Sequence, residues 1–208
     1  MVELQAACAS PIALQLHPVL QLSNAELFEL CQLNRELRIE RTAHGELVIM
    51  SPTGGETSAR NFNLVRQLAN WAEQDGSGQG FDSSGGFVLP NGAMRSPDAA
   101  WVPIQRLRPL SSEQRKAFLP LCPDFVIELR SSSDRLQDCQ AKLAEYVQQG
   151  VRLGWLVDPL ERSVHIYRPG QPVEVLEDPA SVSGDPELPG FVLELSKVWD
   201  PWRKVQGP

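Results

Sequence analysis

Two acids, an arginine and a lysine stand where they could hold and use a metal ion. Asp98 follows Pro97, and thirty residues later comes Glu128-Leu129-Arg130. Lys142 and Tyr146 follow, four residues apart. Phe125-Val126-Ile127-Glu128-Leu129, between a Pro-Asp pair and a serine run, reads as a strand buried on both faces. A carboxylate inside such a strand needs a cation, a hydrogen-bond donor or an open cleft, because burying it alone is costly. Side chains alternate along a strand, so Val126, Glu128 and Arg130 share one face and Phe125, Ile127 and Leu129 the other. Two readings follow. Arg130 neutralises Glu128 in an internal ion pair, or Glu128 joins an acid from a neighbouring strand around a hard divalent cation. Asp124 is a poor partner for the second, because four residues of strand put it roughly 13 Å away. Asp98, at the head of a different strand, can come alongside.

The elements that must position these groups are legible in order. Residues 1–20 read as an extended N-terminal arm, with residues 21–208 forming one domain. Ser23 or Asn24 caps a helix reaching about Glu36. Arg38–Arg41 and Glu46–Met50 form a hairpin across Ala43-His44-Gly45. Gly54-Gly55-Glu56 opens a helix to about Gln74, whose buried stripe is Leu64, Val65, Leu68 and Ala72. Extended backwards, that stripe brings Asn61 and Thr57 to the same face. Glu56 sits at the helix entrance, where a carboxylate is favoured in any case. The run Gly76-Ser77-Gly78-Gln79-Gly80 has no lysine and precedes a strand, so it is not a phosphate loop. Short strands follow at Phe81–Ser83, Gly86–Leu89 and Pro97–Val102, then a surface loop over 103–120 with one short helix around Glu113–Phe118. After the 125–129 strand, Ser133 or Asp134 caps a helix to about Gln149, with Leu136, Cys139, Gln140, Leu143 and Val147 as its packed stripe. Strands at Leu153–Val157, Val164–Tyr167 and Val173–Leu176 complete the frame. This order predicts an α/β fold, a mixed sheet flanked by helices.

Composition sets outer limits. The net charge of −7 does not advertise nucleic-acid binding, although a local basic cleft can coexist with an acidic exterior. Cys8, Cys31, Cys122 and Cys139 have no C-x-x-C spacing and read as reduced thiols. No charged leader with a long apolar run is present, and no apolar run approaches ~18 residues. The expected setting is therefore cytoplasmic, with no membrane partner. Trp101 and Trp155 read as core, and Arg60 and Arg66 as helix-surface residues that could reach phosphates.

The spacing of Pro97-Asp98, Glu128-Leu129-Arg130, Lys142 and Tyr146 resembles the PD-(D/E)XK nuclease arrangement. Wider text is more specific. Met50-Ser51-Pro52-Thr53-Gly54-Gly55-Glu56, Arg95 through Val102, Pro123 through Ser131 and Gly150 through Pro159 resemble the Uma-two family of restriction-endonuclease-like proteins. The resemblance covers roughly residues 20–200. It implies a restriction-endonuclease-like fold, a divalent metal (Mg²⁺ or Mn²⁺), DNA as substrate, phosphodiester hydrolysis and a homodimer. It places the metal ligands on Asp98 and Glu128. Phosphodiester hydrolysis suits hard oxygen ligands, a metal that activates water and a cation near the attacking group. The departure is Arg130, where the nuclease motif has lysine. Arginine cannot act as a base, so Lys142 is the candidate to supply the ammonium from the helix. Glu56, Asn61 and Gln140 are peripheral candidates. The competing expectation is a catalytically inactive module that keeps the fold to bind nucleic acid or a protein, with Glu128 and Arg130 paired internally.

Overall fold

The computed structural model describes residues 11–203; residues 1–10, including Cys8, and 204–208 lie outside it. The chain begins with β1 (Ile12–Leu14), α1 (Asn24–Leu33), β2 (Arg38–Arg41), β3 (Leu47–Met50) and α2 (Gly55–Asp75). It continues through β4 (Gly78–Asp82), β5 (Phe87–Val88), β6 (Met94–Arg95), β7 (Ala99–Pro103), α3 (Ile104–Leu107) and α4 (Ser112–Lys116). Then come β8 (Phe125–Leu129), α5 (Leu136–Gln148), β9 (Leu153–Asp158), β10 (Ser163–Tyr167) and β11 (Glu174–Glu177). β12 (Ser181–Ser183), β13 (Val192–Glu194) and α6 (Ser196–Trp199) close it.

The main sheet has six strands in the order β11-β10-β9-β8-β7-β4. β8 and β9 run parallel, joined by the crossover helix α5, and the remaining pairs are antiparallel. A second, five-stranded sheet has the order β1-β3-β2-β6-β5. The arm expected over residues 1–20 thus contributes a paired edge strand, with Ile12 opposite Ile49. The 103–120 segment carries two short helices instead of one, because Ser111 closes a capping box with Gln114 in its middle.

All five residues of β8 are buried, and alternation sorts them as the sequence predicts. Phe125, Ile127 and Leu129 join a core with Leu64 and Leu68 of α2, Trp155 and Phe191. Val126 joins a second core on the opposite face with Leu143 and Tyr146 of α5. A third, smaller cluster of Leu27, Ile39, Leu47 and Met94 belongs to the five-stranded sheet. Trp101 and Trp155 are core residues, Trp155 stacked on Phe191 and edge-on to Phe125.

Local signals explain the helix ends. Ser23 and Glu26 form a reciprocal capping box on α1. Gly76, at φ +66°, ends α2 by donating its N–H to the Ala72 carbonyl. The start of α5 differs from expectation. Arg135 takes the N-cap place without a side-chain cap, because Asp134 turns its carboxylate back to accept the Ser131 N–H at 2.8 Å.

Gly78 is a packing constraint of another kind. A Cβ there would lie 2.4 Å from the Trp101 ring and 2.5 Å from the Val102 carbonyl oxygen. Neither a buried indole nor a ladder carbonyl can step aside. Gly78→Ala is expected to lower stability by about 1–3 kcal/mol, read as an earlier urea midpoint with unchanged slope. Among the described residues no helix is long and apolar enough to cross a membrane.

Candidate active site

β7 and β8 lie side by side, with Ala99 opposite Ile127 and Ala100 opposite Val126. One step further along this register sets Asp98 opposite Glu128, and directly opposed residues have Cβ atoms about 4.5–5.5 Å apart. Asp98 is anchored there: its Oδ2 accepts the Leu129 N–H at 2.8 Å. Both acids lie on the α5 face of the sheet.

From α5, Lys142 reaches into this face. Its Nζ lies 3.0 Å from Glu128 Oε1, and Tyr146, one turn on, donates its hydroxyl to the same oxygen at 3.1 Å. Among the described residues Glu128 Oε2 has no partner, and the side chain keeps 11% exposure. That leaves one carboxylate oxygen facing outward. Arg130 is not in this group. Its guanidinium donates to Asp158 Oδ2 at 2.7 Å and to the Asp134 carbonyl, so the internal Glu128–Arg130 pair is not formed. Asp158, fully buried at the end of β9, needs that counter-charge, and its other oxygen accepts the N–H groups of Leu160 and Glu161.

Four residues of the site escaped the sequence reading: Arg95, Glu145 of α5, and two that come from β2 in the other sheet. Glu40 is 2% exposed. Its Oε1 accepts Lys142 Nζ at 2.8 Å and the Ser96 N–H at 2.9 Å, and its Oε2 accepts Arg95 Nη1 at 3.2 Å. Arg38, two residues earlier on the same face, donates from Nη1 to Asp98 Oδ1 at 3.4 Å and from Nη2 to the Ser96 carbonyl. Arg95 is itself fastened to Glu145 of α5 at 2.7 Å. The signal available in sequence was the strand Arg38-Ile39-Glu40-Arg41, which has one apolar residue in four; such a strand is buried only where its charges find partners.

The charges do not balance. Glu40, Asp98, Glu128 and Glu145 present four carboxylates to the three cations Arg38, Arg95 and Lys142. The imbalance falls on Glu128. Burial pushes its acid up to about 7, against the pull of Lys142, with Asp98 and Glu40 adding repulsion. Burial acts on Glu40 in the same direction, but Lys142 and then Arg95 overcome it and hold that acid down at about 2. Lys142 is kept protonated by Glu128 and Glu40 despite its burial. Two carboxylates on one lysine are thus pushed in opposite directions, which makes this cluster the functional-site candidate.

The donor set suits a hard divalent ion. Asp98 and Glu128 supply oxygen from adjacent strands, and a Mg²⁺ held by one or two carboxylates keeps several waters. Among the described residues no group of three or more His, Cys, Asp or Glu side chains is placed to hold a metal ion, so at most the two carboxylates could serve as ligands.

The other sequence candidates lie apart. Glu56 is on α2, the helix of the opposite face, exposed and paired with Arg60, whose Nε is spent on the Val198 carbonyl. Asn61, also on α2, has a buried Oδ1 without a partner. Gln140 is half-buried on α5 and makes no side-chain hydrogen bond among the described residues. Asp124 is the strand-start acid expected, paired with Arg106. Two grooves of about 380 and 430 Å³ run between α2 and β4, lined by Leu68, Ala69, Ala72 and Gly80, and hold no comparable charge cluster.

Comparison with known proteins agrees with this frame. The family model described as "Uma2: Putative restriction endonuclease" matches residues 25–196. A solved structure from Anabaena variabilis ATCC 29413, described as "a putative nuclease belonging to DUF820", superposes with a TM-score of 0.66 at 20% identity. The match covers 77% of this chain and 89% of that one, a likeness of fold. None of the curated proteins matches the chain.

Proposed function

The chain belongs to the Uma2 family, and from that premise we propose that it is a metal-dependent endonuclease hydrolysing DNA phosphodiester bonds, with Asp98 and Glu128 as metal ligands. The observation that carries this reading is that Asp98, just before β7, is bonded to the Leu129 N–H beside Glu128 of β8, with Lys142 at 3.0 Å from Glu128 and, among the described residues, one Glu128 oxygen without a partner. Bound there, Mg²⁺ or Mn²⁺ would supply a water of lowered pKa and stabilise charge on the phosphate. Asp98 is kept in place by the Leu129 N–H, with its Oδ1 facing Arg38. Lys142 holds a positive charge beside Glu128 and orients the attacking water or steadies the developing anion. Tyr146 fixes the inner oxygen of Glu128, which leaves the outer one free.

The non-catalytic reading expected an internal Glu128–Arg130 pair, and Arg130 is engaged elsewhere; the net charge of −7 and the arginine in place of the motif lysine still speak for it. A homodimer belongs to the proposal, since cutting both strands of a duplex calls for two sites, as does a cytoplasmic setting where DNA is met.

Calorimetric titration with Mg²⁺ and Mn²⁺ tests the site directly. Wild type is expected to bind one ion per chain, and Asp98→Asn and Glu128→Gln are each expected to abolish binding while remaining folded. Plasmid nicking should disappear in the same two variants. A folded wild type that binds neither ion at millimolar concentration defeats the proposal.

A further inference from the structure

The three cations of the site are not equally committed. Arg95 is clasped by Glu145 at 2.7 Å and Glu40 at 3.2 Å, and its side chain is 13% exposed. Lys142 is clasped by Glu40 and Glu128, and is 17% exposed. Arg38 is the loose one. Among the described residues its only carboxylate contact is the 3.4 Å approach to Asp98 and its buried Nε has no partner; its side chain is 31% exposed. Its firmer hold is on the Ser96 carbonyl.

The one acid Arg38 touches is also a proposed metal ligand. Asp98 Oδ2 already accepts the Leu129 N–H, so Oδ1, the oxygen that Arg38 faces, is the more open of the two to a metal ion. A guanidinium stays charged at any pH the protein meets. It cannot step aside by losing a proton, and two like charges at one carboxylate oxygen repel strongly in a partly dry site.

We propose that Arg38 is a displaceable counter-ion, holding Asp98 Oδ1 until a divalent cation takes its place. The inference rests on the metal-site reading above. It makes metal affinity a difference between two cations competing for one oxygen. It also couples metal to substrate. Once displaced, Arg38 is a partly exposed guanidinium beside the metal, suited to a phosphate oxygen. A phosphodiester that draws Arg38 away tightens metal binding, and by linkage metal tightens the phosphodiester to the same degree.

Mg²⁺ titration by calorimetry on wild type, Arg38→Gln and Arg38→Lys decides the matter. Arg38→Gln is expected to bind the ion about fivefold or more tightly than wild type, and Arg38→Lys to stay close to wild type. Equal or weaker binding by a folded Arg38→Gln overturns the counter-ion role while leaving the metal site standing. Absence of binding in wild type and Arg38→Gln alike removes the metal site and this inference together. Because Arg38 also ties β2 to Ser96, the glutamine variant could fail to fold. A measurement on wild type covers that case. The Arg38 Nε–H resonance, followed by ¹⁵N NMR, is expected to move as Mg²⁺ saturates the site; a resonance unmoved at saturation overturns the proposal.

Discussion

Lys142→Met is expected to cost about 3–5 kcal/mol of stability at pH 8 and to slow DNA cleavage by about 10²–10³-fold in the protein that remains folded. The size of the first effect comes from the count of charges. With Lys142 gone, four carboxylates face two cations, and both Glu40 and Glu128 lose the partner that most favours their ionised form. Glu40 is 2% exposed and cannot reach water. Urea unfolding reads the stability and single-turnover cleavage at saturating Mg²⁺ reads the rate. The two effects separate in the double variant Glu40→Gln/Lys142→Met. Removing both charges of a buried pair is often neutral, so stability should largely return. Cleavage should not, because the cation beside Glu128 is still missing. Recovery of both would reduce Lys142 to a structural counter-charge.

Glu128→Gln is expected to make the metal-free protein more stable at pH 8, by about 1–3 kcal/mol. The Glu128 acid is raised to about 7 from an ordinary 4.5, chiefly by burial. Its folded form therefore holds a proton that the unfolded form has released between those two values. Stability from this group is complete below pH 4.5 and is lost as pH rises through 7. Glutamine does not ionise and keeps the neutral form throughout. The variant's advantage should be largest at pH 8 and fade towards pH 4.5. Glu40 slopes the other way: held at about 2, it stabilises fully above pH 4.5 and stops doing so as pH falls through 2. That acid limb is common to both proteins. Added Mg²⁺ should raise the melting temperature of wild type and leave the variant unmoved. A Glu128→Gln protein less stable than wild type at pH 8 would mean that Lys142 already compensates the ionised carboxylate in full, with nothing left for a metal to do.

Much of this site could be read from sequence because it lies on strongly patterned elements. Five bulky residues between a proline and a serine run fixed the bounds of β8, and alternation assigned Glu128 to the α5 face. The four-residue spacing of Lys142 and Tyr146 set both on one side of α5, where they meet the same Glu128 oxygen. Arg130 was harder. Alternation permits it to face Glu128, but the chain turns directly after β8, and a fully buried Asp158 from β9 captures it. Local pattern carries no information about which of two acids will be nearer after a crossover. Glu40 and Arg38 were missed for the same reason in stronger form. Their strand looks like half of a surface hairpin, and what buries it is the docking of a sheet whose partners lie far away in sequence.

That docking also sets a schedule. Arg38 and Asp98 are 60 residues apart, and Glu40 and Lys142 are 102 apart. The β2–β3 hairpin can close as soon as its own residues exist, but the charges it carries have nothing to grip until β7 and then α5 arrive. During synthesis from the N-terminus the acids and the lysine come together only after about two thirds of the chain has emerged. On the proposed reading, cleavage of the nucleic acids that surround a ribosome has to wait for that late stage of translation, because the site is incomplete before it.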